Sequence, residues 1–262
     1  MGEQSVGSRG TRMQTRSGYT VASSLLEMLL PSACSFCFQR FPAGKSPTGL
    51  CESCASQFFP IRRTCVRCSA RLPETTLSLD SSDCIHCRGE DWHFDRAICA
   101  GDYQGPLREA VILMKRPFHE HLALAVGRAL GERLRDQIPM GIAAVIPTPQ
   151  HWRRRILRRT NSSELLAEAL AGHLGIPIRR ILRRTRATAK QGMLTGAQRR
   201  VNLRNAFDCT DCSFVAGKTL LLVDDILTSG ATANSMALAL RKAGAGAIHV
   251  VTVARSLGLP TR

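Results

Sequence analysis

Leu220-Leu221-Leu222-Val223-Asp224-Asp225-Ile226-Leu227-Thr228-Ser229-Gly230-Ala231-Thr232 decides the reading of this chain. Leu220, Leu221, Leu222 and Val223 are apolar without interruption, the composition of a strand buried on both faces of a parallel sheet. After Thr232 the run Ala-Asn-Ser-Met-Ala-Leu-Ala-Leu-Arg-Lys-Ala-Gly has helical composition, with Ala231, Leu238, Ala239 and Ala243 at helical spacing. Arg241, Lys242 and Gly244 supply a helix stop. The acidic pair is therefore expected where the strand ends, and residues 228–232 in the loop leading into a helix N-terminus, where ligands of open α/β sheets bind. Free N–H groups and the helix dipole favour a phosphate there. Gly230 permits close backbone approach, and Thr228, Ser229 and Thr232 add hydroxyl donors. Two adjacent carboxylates would repel a polyphosphate. They suit vicinal hydroxyls or a divalent cation bridging ligand oxygens, so the string reads as a sugar-phosphate site. The plainer alternative is an Asp pair that only caps a helix.

Strand and helix alternate through the neighbouring sequence. Residues 96–103 read as a strand, 105–115 as a helix and roughly 119–137 as a longer helix after Pro117 breaks the chain. Residues 142–146 are another buried strand, ended by Pro147-Thr148-Pro149, which cannot continue a ladder. Arg153, Arg154, Arg155, Arg158 and Arg159 cluster next, and Asn161 or Ser162 is a plausible N-cap for a helix over 165–174. Residues 178–182 read as a strand, 183–198 as a long polar connection and 247–254 as the last strand. This alternation predicts an α/β fold with a mostly parallel sheet.

Eight of the 11 cysteines fall in four C-x-x-C pairs: Cys34 and Cys37, Cys51 and Cys54, Cys65 and Cys68, Cys84 and Cys87. Two such pairs supply four thiolates for one tetrahedral zinc ion, so the eight predict two structural Zn2+ sites rather than disulfides. Sequential pairing and interleaved pairing both satisfy the spacing. Residues 33–90 hold few large apolar side chains and need metal to build a core. His86 and His93 are surplus to eight thiolates and read as surface residues. Cys99 sits in an apolar strand and reads as core. Cys209 and Cys212 form a fifth pair in a polar loop, without an assigned role.

Lys plus Arg number 36 against 20 acids, a net charge of +16. Most of the excess is arginine, whose planar fork grips phosphate at two points. The charge suits either nucleic-acid contact or a generally solvated basic surface. No segment reads as a membrane span. Residues 21–30 contain Glu27 and fall far short of the ~20 residues required. They also lack a clean cleavage site for a signal peptide. The expected location is cytoplasmic. Residues 1–18 read as a disordered basic tail and 19–31 as a short amphipathic helix ending at Pro31.

The 220–232 string resembles the phosphoribosyl-pyrophosphate (PRPP) loop of type I phosphoribosyltransferases. From about residue 25 to 255 the chain resembles the ComF family, a double zinc ribbon followed by a phosphoribosyltransferase-like domain. Besides the cysteines and the acidic loop, the resemblance rests on Lys115, Pro147-Thr148-Pro149, Arg158, Asn161, Gln191, Leu194, Arg199, Asn202, Ala206, Phe207 and Gly217-Lys218. The chain departs from the family pattern around Asn161. Arg159-Thr160 stands where Gly-Phe is usual, and Ser162 where Gln is usual. The Arg adds charge beside the expected pyrophosphate pocket.

The resemblance implies a sheet of type I phosphoribosyltransferase kind and three segments: tail 1–18, N-terminal helix and double zinc ribbon 19–92, and phosphoribosyltransferase-like domain 93–258. It implies that Asp224 and Asp225 hold the ribose hydroxyls and that Thr228, Ser229, Gly230, Ala231 and Thr232 hold the 5′-phosphate. Mg2+ would accompany PRPP. Pro147, Thr148, Pro149, Arg158, Lys115, Gln191 and Arg199 are the implied pyrophosphate and loop residues. Purine-salvage enzymes carry an acid where this chain has Thr228, so the catalytic residue stays unassigned. The family's association with competence implies DNA uptake, with single-stranded DNA and DNA-processing proteins as partners. On that reading the zinc ribbons and the arginines at 153–159 grip phosphates. Phe36, Phe38, Phe41, Phe58 and Phe59 read as ribbon core or as stacking platforms.

Overall fold

The structure, a computed structural model, describes residues 33–41, 46, 48–73, 84–149, 161–185 and 206–257. The expected tail at 1–18, the expected helix at 19–31 and the arginine cluster at 153–159 lie outside these residues. Helix α1 (Glu52–Phe58) lies among the cysteines. It is followed by β1 (Arg96–Asp102), α2 (Gly105–Leu113), α3 (Glu120–Arg133) and β2 (Ile142–Pro147). Next come α4 (Ser162–Leu174), β3 (Leu182–Arg184), β4 (Phe207–Cys209) and the short α5 (Cys212–Val215). Then follow β5 (Thr219–Leu227), α6 (Ala231–Lys242) and β6 (Ala247–Arg255). Strands β1, β6, β5 and β2 lie in that order in one sheet, all parallel, and β3 pairs with β4 antiparallel.

Successive side chains of a strand point to opposite faces, and β5 uses both. Leu221 and Val223 join one core with Ile98, Val251 and residues of α2, α3 and α4, while Leu220 and Leu222 join another with Val250 and with Met236 and Leu240 of α6. None of these four β5 side chains is exposed. Each contributes about 1.5–3 kcal/mol by leaving water. Helices thus cover both faces, and the carboxyl edge is where polar chain emerges.

Several expectations need correction. Strand β5 continues through the acidic pair to Leu227, because its ladder with β6 carries on through Asp224↔Thr252 and Leu227↔Arg255. Backbone pairing does not stop at a charged side chain. Pro147 closes β2 and still lies opposite Val223. β2 is an outer strand of this sheet, where a missing N–H is tolerated. Of the expected strand over 178–182, Ile178 forms only a bridge to Val145 and Leu182 opens β3. Strand β3 then runs on into the expected polar connection, held by an Arg183–Asp208 ion pair of 2.9 Å and by Arg184 over the Phe207 ring. Cys209 ends β4 and Cys212 begins α5, which Asp211 caps by accepting from Phe214 N at 3.1 Å. The long helix after Pro117 stops at Arg133 and passes into a 3₁₀ turn at Arg135–Gln137. Among the described residues no helix is long and apolar enough to cross a membrane.

Helices α3 and α4 approach closely at Gly127, where an added Cβ would lie 2.7 Å from both Leu166 O and Ala169 Cβ. Backbone must move to admit it. Gly127→Ala is therefore expected to destabilise the fold by about 1–3 kcal/mol, read as a lowered midpoint in thermal or denaturant unfolding.

Candidate functional site

Strand β5 carries Asp224 and Asp225 to the carboxyl edge of the sheet, residues 228–230 turn, and α6 starts at Ala231. Of the five residues expected to hold a phosphate, Thr228, Ser229 and Gly230 form the turn, and Ala231 and Thr232 begin the helix. Gly230 occupies the N-cap position at φ 73°, ψ −6°, in the left-handed region that suits glycine. A second reason for glycine comes from a neighbour that sequence reading did not identify. An added Cβ at this position would lie 2.5–2.6 Å from two ring carbons of Trp92.

The two carboxylates are met from two different helices. Asp224 Oδ1 accepts from Ser163 Oγ in the first turn of α4 at 3.0 Å, and from the N–H of Asp225 at 2.9 Å. Lys115, just beyond α2, pairs with Asp225 at 2.8 Å. Burial, and then the charge of Asp225, push the Asp224 carboxyl up to about 7. They outweigh the lowering supplied by its two hydrogen bonds and by Lys115. Near neutral pH Asp224 is therefore about half ionised, beside an Asp225 whose partner is the Lys115 cation.

The Pro147-Thr148-Pro149 turn is fastened to the same strand. Both the N–H and the hydroxyl of Thr148 donate to Val223 O, at 2.9 and 3.0 Å, and Asn161 Nδ2 donates to Thr148 O at 3.4 Å. The structure thus gathers Thr148, Asn161, Ser163, Lys115 and the acidic pair around the end of β5. Arg158, Gln191 and Arg199 lie outside the described residues. Ser163, Trp92, Asn234 and Arg255 were not singled out from the sequence. The available signals were an arginine at the end of an apolar strand and a tryptophan, one of two in the chain.

The cysteines pair sequentially. Cys34, Cys37, Cys51 and Cys54 make one group and Cys65, Cys68, Cys84 and Cys87 the other, each with its sulfurs all within 4.8 Å of one another. Sulfurs on a tetrahedral zinc ion with ~2.3 Å bonds stand about 3.8 Å apart. The observed separations are 3.6 Å for Cys37–Cys51, 3.8 Å for Cys65–Cys87 and 3.7 Å for Cys68–Cys84. Burial, followed by the neighbouring sulfurs, pushes the Cys54 and Cys87 thiols up, and burial pushes Cys68 up to about 11. Burial also acts upward on Cys34, but bonds from the backbone of Cys37, Cys51 and Phe36 bring it down to about 7. Four thiolates this close need a cation between them, and both groups fit zinc.

The first group belongs to the main core, which includes Cys34, Cys51, Cys54 and residues of α3. The second forms a small core of its own against which Trp92 packs. Phe58 is fully buried, and Phe36, Phe41 and Phe59 pack partly buried against the main core, whereas Phe38 is 68% exposed. Four of the five ribbon phenylalanines are therefore core. His86 and His93 are half-buried rather than on the surface. A cleft of about 510 Å³ between Pro60, Ile61, Arg71 and the β1–α2 turn contains none of the expected ligand residues.

A family model described as the phosphoribosyl transferase domain matches residues 160–258. The DNA utilization protein YhgH of Salmonella typhimurium is 30% identical over 242 residues, spanning 88% of this chain and 100% of that protein. Competence protein F of Haemophilus influenzae is 29% identical over 219 residues, 79% of this chain and 91% of that protein. A solved B. subtilis glutamine PRPP amidotransferase, complexed with ADP and GMP, matches 60% of this chain and 31% of its own at 23% identity, with a TM-score of 0.39. The chain carries a domain of phosphoribosyltransferase type. It belongs to the ComF family, with the competence and DNA utilization proteins as its relatives.

Metal analysis of the purified chain is expected to find two zinc ions. Chelation is expected to unfold the cysteine-rich region, read as loss of resistance to proteolysis between residues 33 and 90, because neither group of thiols supports a core unaided.

Proposed function

We propose that this chain binds PRPP, or a related ribose phosphate, in the manner of a phosphoribosyltransferase. Asp224 and Asp225 accept from the ribose 2′ and 3′ hydroxyls. The turn at 228–230 and the start of α6, with Ala231 and Thr232, hold the 5′-phosphate. The observation that carries this reading is an acidic pair and a helix N-terminus separated by one short turn at the carboxyl edge of a parallel sheet. A partly buried carboxyl held near pH 7 beside a second carboxylate suits hydroxyl donors or a cation. The carboxylate oxygens also fit Mg2+, which would offset charge on the ribose and pyrophosphate oxygens when bound. Lys115 neutralises Asp225 and stands ready to turn towards pyrophosphate, together with Thr148 and Pro149. Arg158, Gln191 and Arg199 are assigned to pyrophosphate by resemblance alone.

The reaction would be displacement of pyrophosphate at the anomeric carbon by an acceptor nucleophile. The protein would act by positioning the reactants and offsetting charge. Thr228 offers no carboxylate for proton transfer to the acceptor, so a binding protein without turnover is the neighbouring possibility. We place the ribbon module at 19–92 and the phosphoribosyltransferase-like module at 93–258. The support is that the last cluster cysteine is Cys87 and the sheet begins at Arg96.

Titration of PRPP with Mg2+ by calorimetry tests the pocket, and absence of binding at millimolar ligand would remove the proposal. Asp224→Asn and Asp225→Asn are each expected to weaken binding about 10–100-fold, the range for hydrogen bonds to a charged group. Turnover of bound PRPP with a panel of nucleobase acceptors separates enzyme from binding protein.

Asp224 gives a pH test with a defined sign. The free carboxyl titrates near 3.9 and the folded one at about 7. Between these values the native chain keeps a proton that the unfolded chain has lost. Its stability therefore falls as pH rises from about 4 to 7 and levels off above. Asp224→Asn should raise the melting temperature at pH 8 and leave it nearly unchanged at pH 4. PRPP affinity should rise between pH 6 and 8 in the parent chain.

A second reading follows from the names of the relatives, DNA utilization protein and competence protein, together with the net charge of +16. On this reading the chain handles single-stranded DNA with competence or DNA-processing proteins. Arg179 and Lys218 lie over the Phe214 ring at 4.9 and 3.8 Å, a basic and aromatic surface of the kind that holds single strands. Binding to an oligonucleotide that weakens steeply with salt supports it. Weak binding insensitive to salt discards it.

A further inference from the structure

We infer that the second cysteine cluster and the 227–230 loop form one mechanical unit, and that Arg255 is the positioning residue that joins them. Its consequence for ligand binding rests on the ribose-phosphate reading above; the coupling itself does not.

Arg255 ends β6 opposite Leu227 and is 4% exposed. A buried guanidinium is costly unless its donors are met, and here carbonyl oxygens accept from Nε and Nη1. Nη1 shares its two N–H groups among Leu227 O at 2.8 Å, Thr228 O and Ser256 O at 3.0 Å. Nε donates to Cys68 O at 3.0 Å. One side chain thus holds two carbonyls at the start of the loop and the carbonyl of a cluster cysteine.

A second connection runs beside it. Trp92 follows the last cluster cysteine by five residues, packs against both the second cluster and the core beneath α6, and covers Gly230. Arg67, between Cys65 and Cys68, donates to Trp92 O at 2.9 Å. Asn234 in the first turns of α6 accepts from His93 N at 2.6 Å and donates to Asp91 O at 2.9 Å. The loop and the helix start are clamped from the cluster side by both connections.

Among the described residues the first cluster shows no comparable link to this loop. Its neighbourhood joins α3, through Arg128 to Thr48 O at 3.3 Å and Arg133 to Glu52 at 2.5 Å. The two clusters are thereby unequal. The first braces a helix on one face of the sheet, and the second fixes the backbone amides proposed to receive phosphate. A coupling of this kind is reciprocal, so a ligand on the loop also stabilises metal in the second cluster.

The test is amide hydrogen exchange, read by mass spectrometry on the zinc-loaded full chain without ligand. Arg255→Gln, with both zinc ions retained, is expected to speed exchange across residues 227–233 at least tenfold. Arg255→Lys, which keeps a donor near the carbonyls, should recover part of the protection. Cys84→Ser should loosen the same residues, and Cys37→Ser should not. Unchanged exchange in Arg255→Gln overturns the inference, as does equal loosening by Cys37→Ser and Cys84→Ser. Should Cys84→Ser fail to accumulate, the comparison of the two Arg255 variants decides alone. Ribose 5-phosphate with Mg2+ is the second probe, and its affinity should fall about tenfold in Arg255→Gln. If the parent chain binds none, the proposed function fails while the exchange result still decides the coupling.

Discussion

Burial of β5 on both faces is the constraint on which the site depends. From Leu220 to Val223 every side chain enters one of two cores, and an ionised group has no place among them. Carboxylates are admissible only where the strand outruns the helical layers. The ladder to β6 continues beyond Val223, while the ladder to β2 ends there. The acidic pair therefore sits on a rigid strand with one flank open towards Thr148 and Asn161. A site held by a paired strand is more sharply placed than one on a free loop, which matters for a ligand gripped at two ends.

Electrostatics then divides two chemically identical residues. Asp225 has a lysine partner at 2.8 Å, whereas Asp224 has a serine hydroxyl and a backbone N–H. Asp224 carries the burial and the repulsion and is held near neutrality. A site so arranged has less negative charge to present to an approaching phosphate than two free aspartates would. On the proposed reading it also contains, in Lys115, a cation to compensate when the ligand's own charge arrives. The same reasoning applies to Cys54, Cys68 and Cys87 in the sulfur clusters, where burial and neighbouring sulfurs oppose ionisation until a metal is present.

The fold was largely legible because its strongest signals are local. An uninterrupted apolar run, a helix stop at Arg241, Lys242 and Gly244, and four C-x-x-C knuckles each speak from adjacent residues. What stayed hidden depended on distant approach. The pairing of knuckles is a matter of where Cys34 and Cys51 meet in space, and spacing along the chain permits more than one answer. Strand β3 runs past the expected strand end at Leu182 into a stretch that reads as polar because its other two residues are arginines, and it is stabilised by Asp208 and Phe207 more than twenty positions away. The extension of β5 was missed because side-chain patterning registers the first charge as an end, while the hydrogen bonds that define the strand belong to the backbone. Ser163 looked like helix-start composition, and only the packing of α4 on β5 makes it a partner of Asp224.

Arg255 shows why the last of these gaps has a functional meaning. An apolar side chain at the end of β6 would continue the pattern of Val250, Val251 and Val253 and incur no desolvation. Arginine there is tolerated because carbonyl oxygens converge on it, from Leu227, Thr228 and Ser256 near the strand ends and from Cys68 in the second cysteine cluster. The Cys68 carbonyl joins them only when the cysteine-rich region is folded and docked. A ribbon that served merely as an appendage would leave the strand end to be closed by an aliphatic residue. On the inference above, the buried charge makes the geometry of the turn conditional on the ribbon, and the tryptophan lying over Gly230 adds the same condition from the other side. A helix N-terminus attracts any anion; selectivity for a phosphate on a pentose requires that the turn and the acidic pair keep a fixed separation. On the proposed reading, the fixed reference for that separation is the second cysteine cluster.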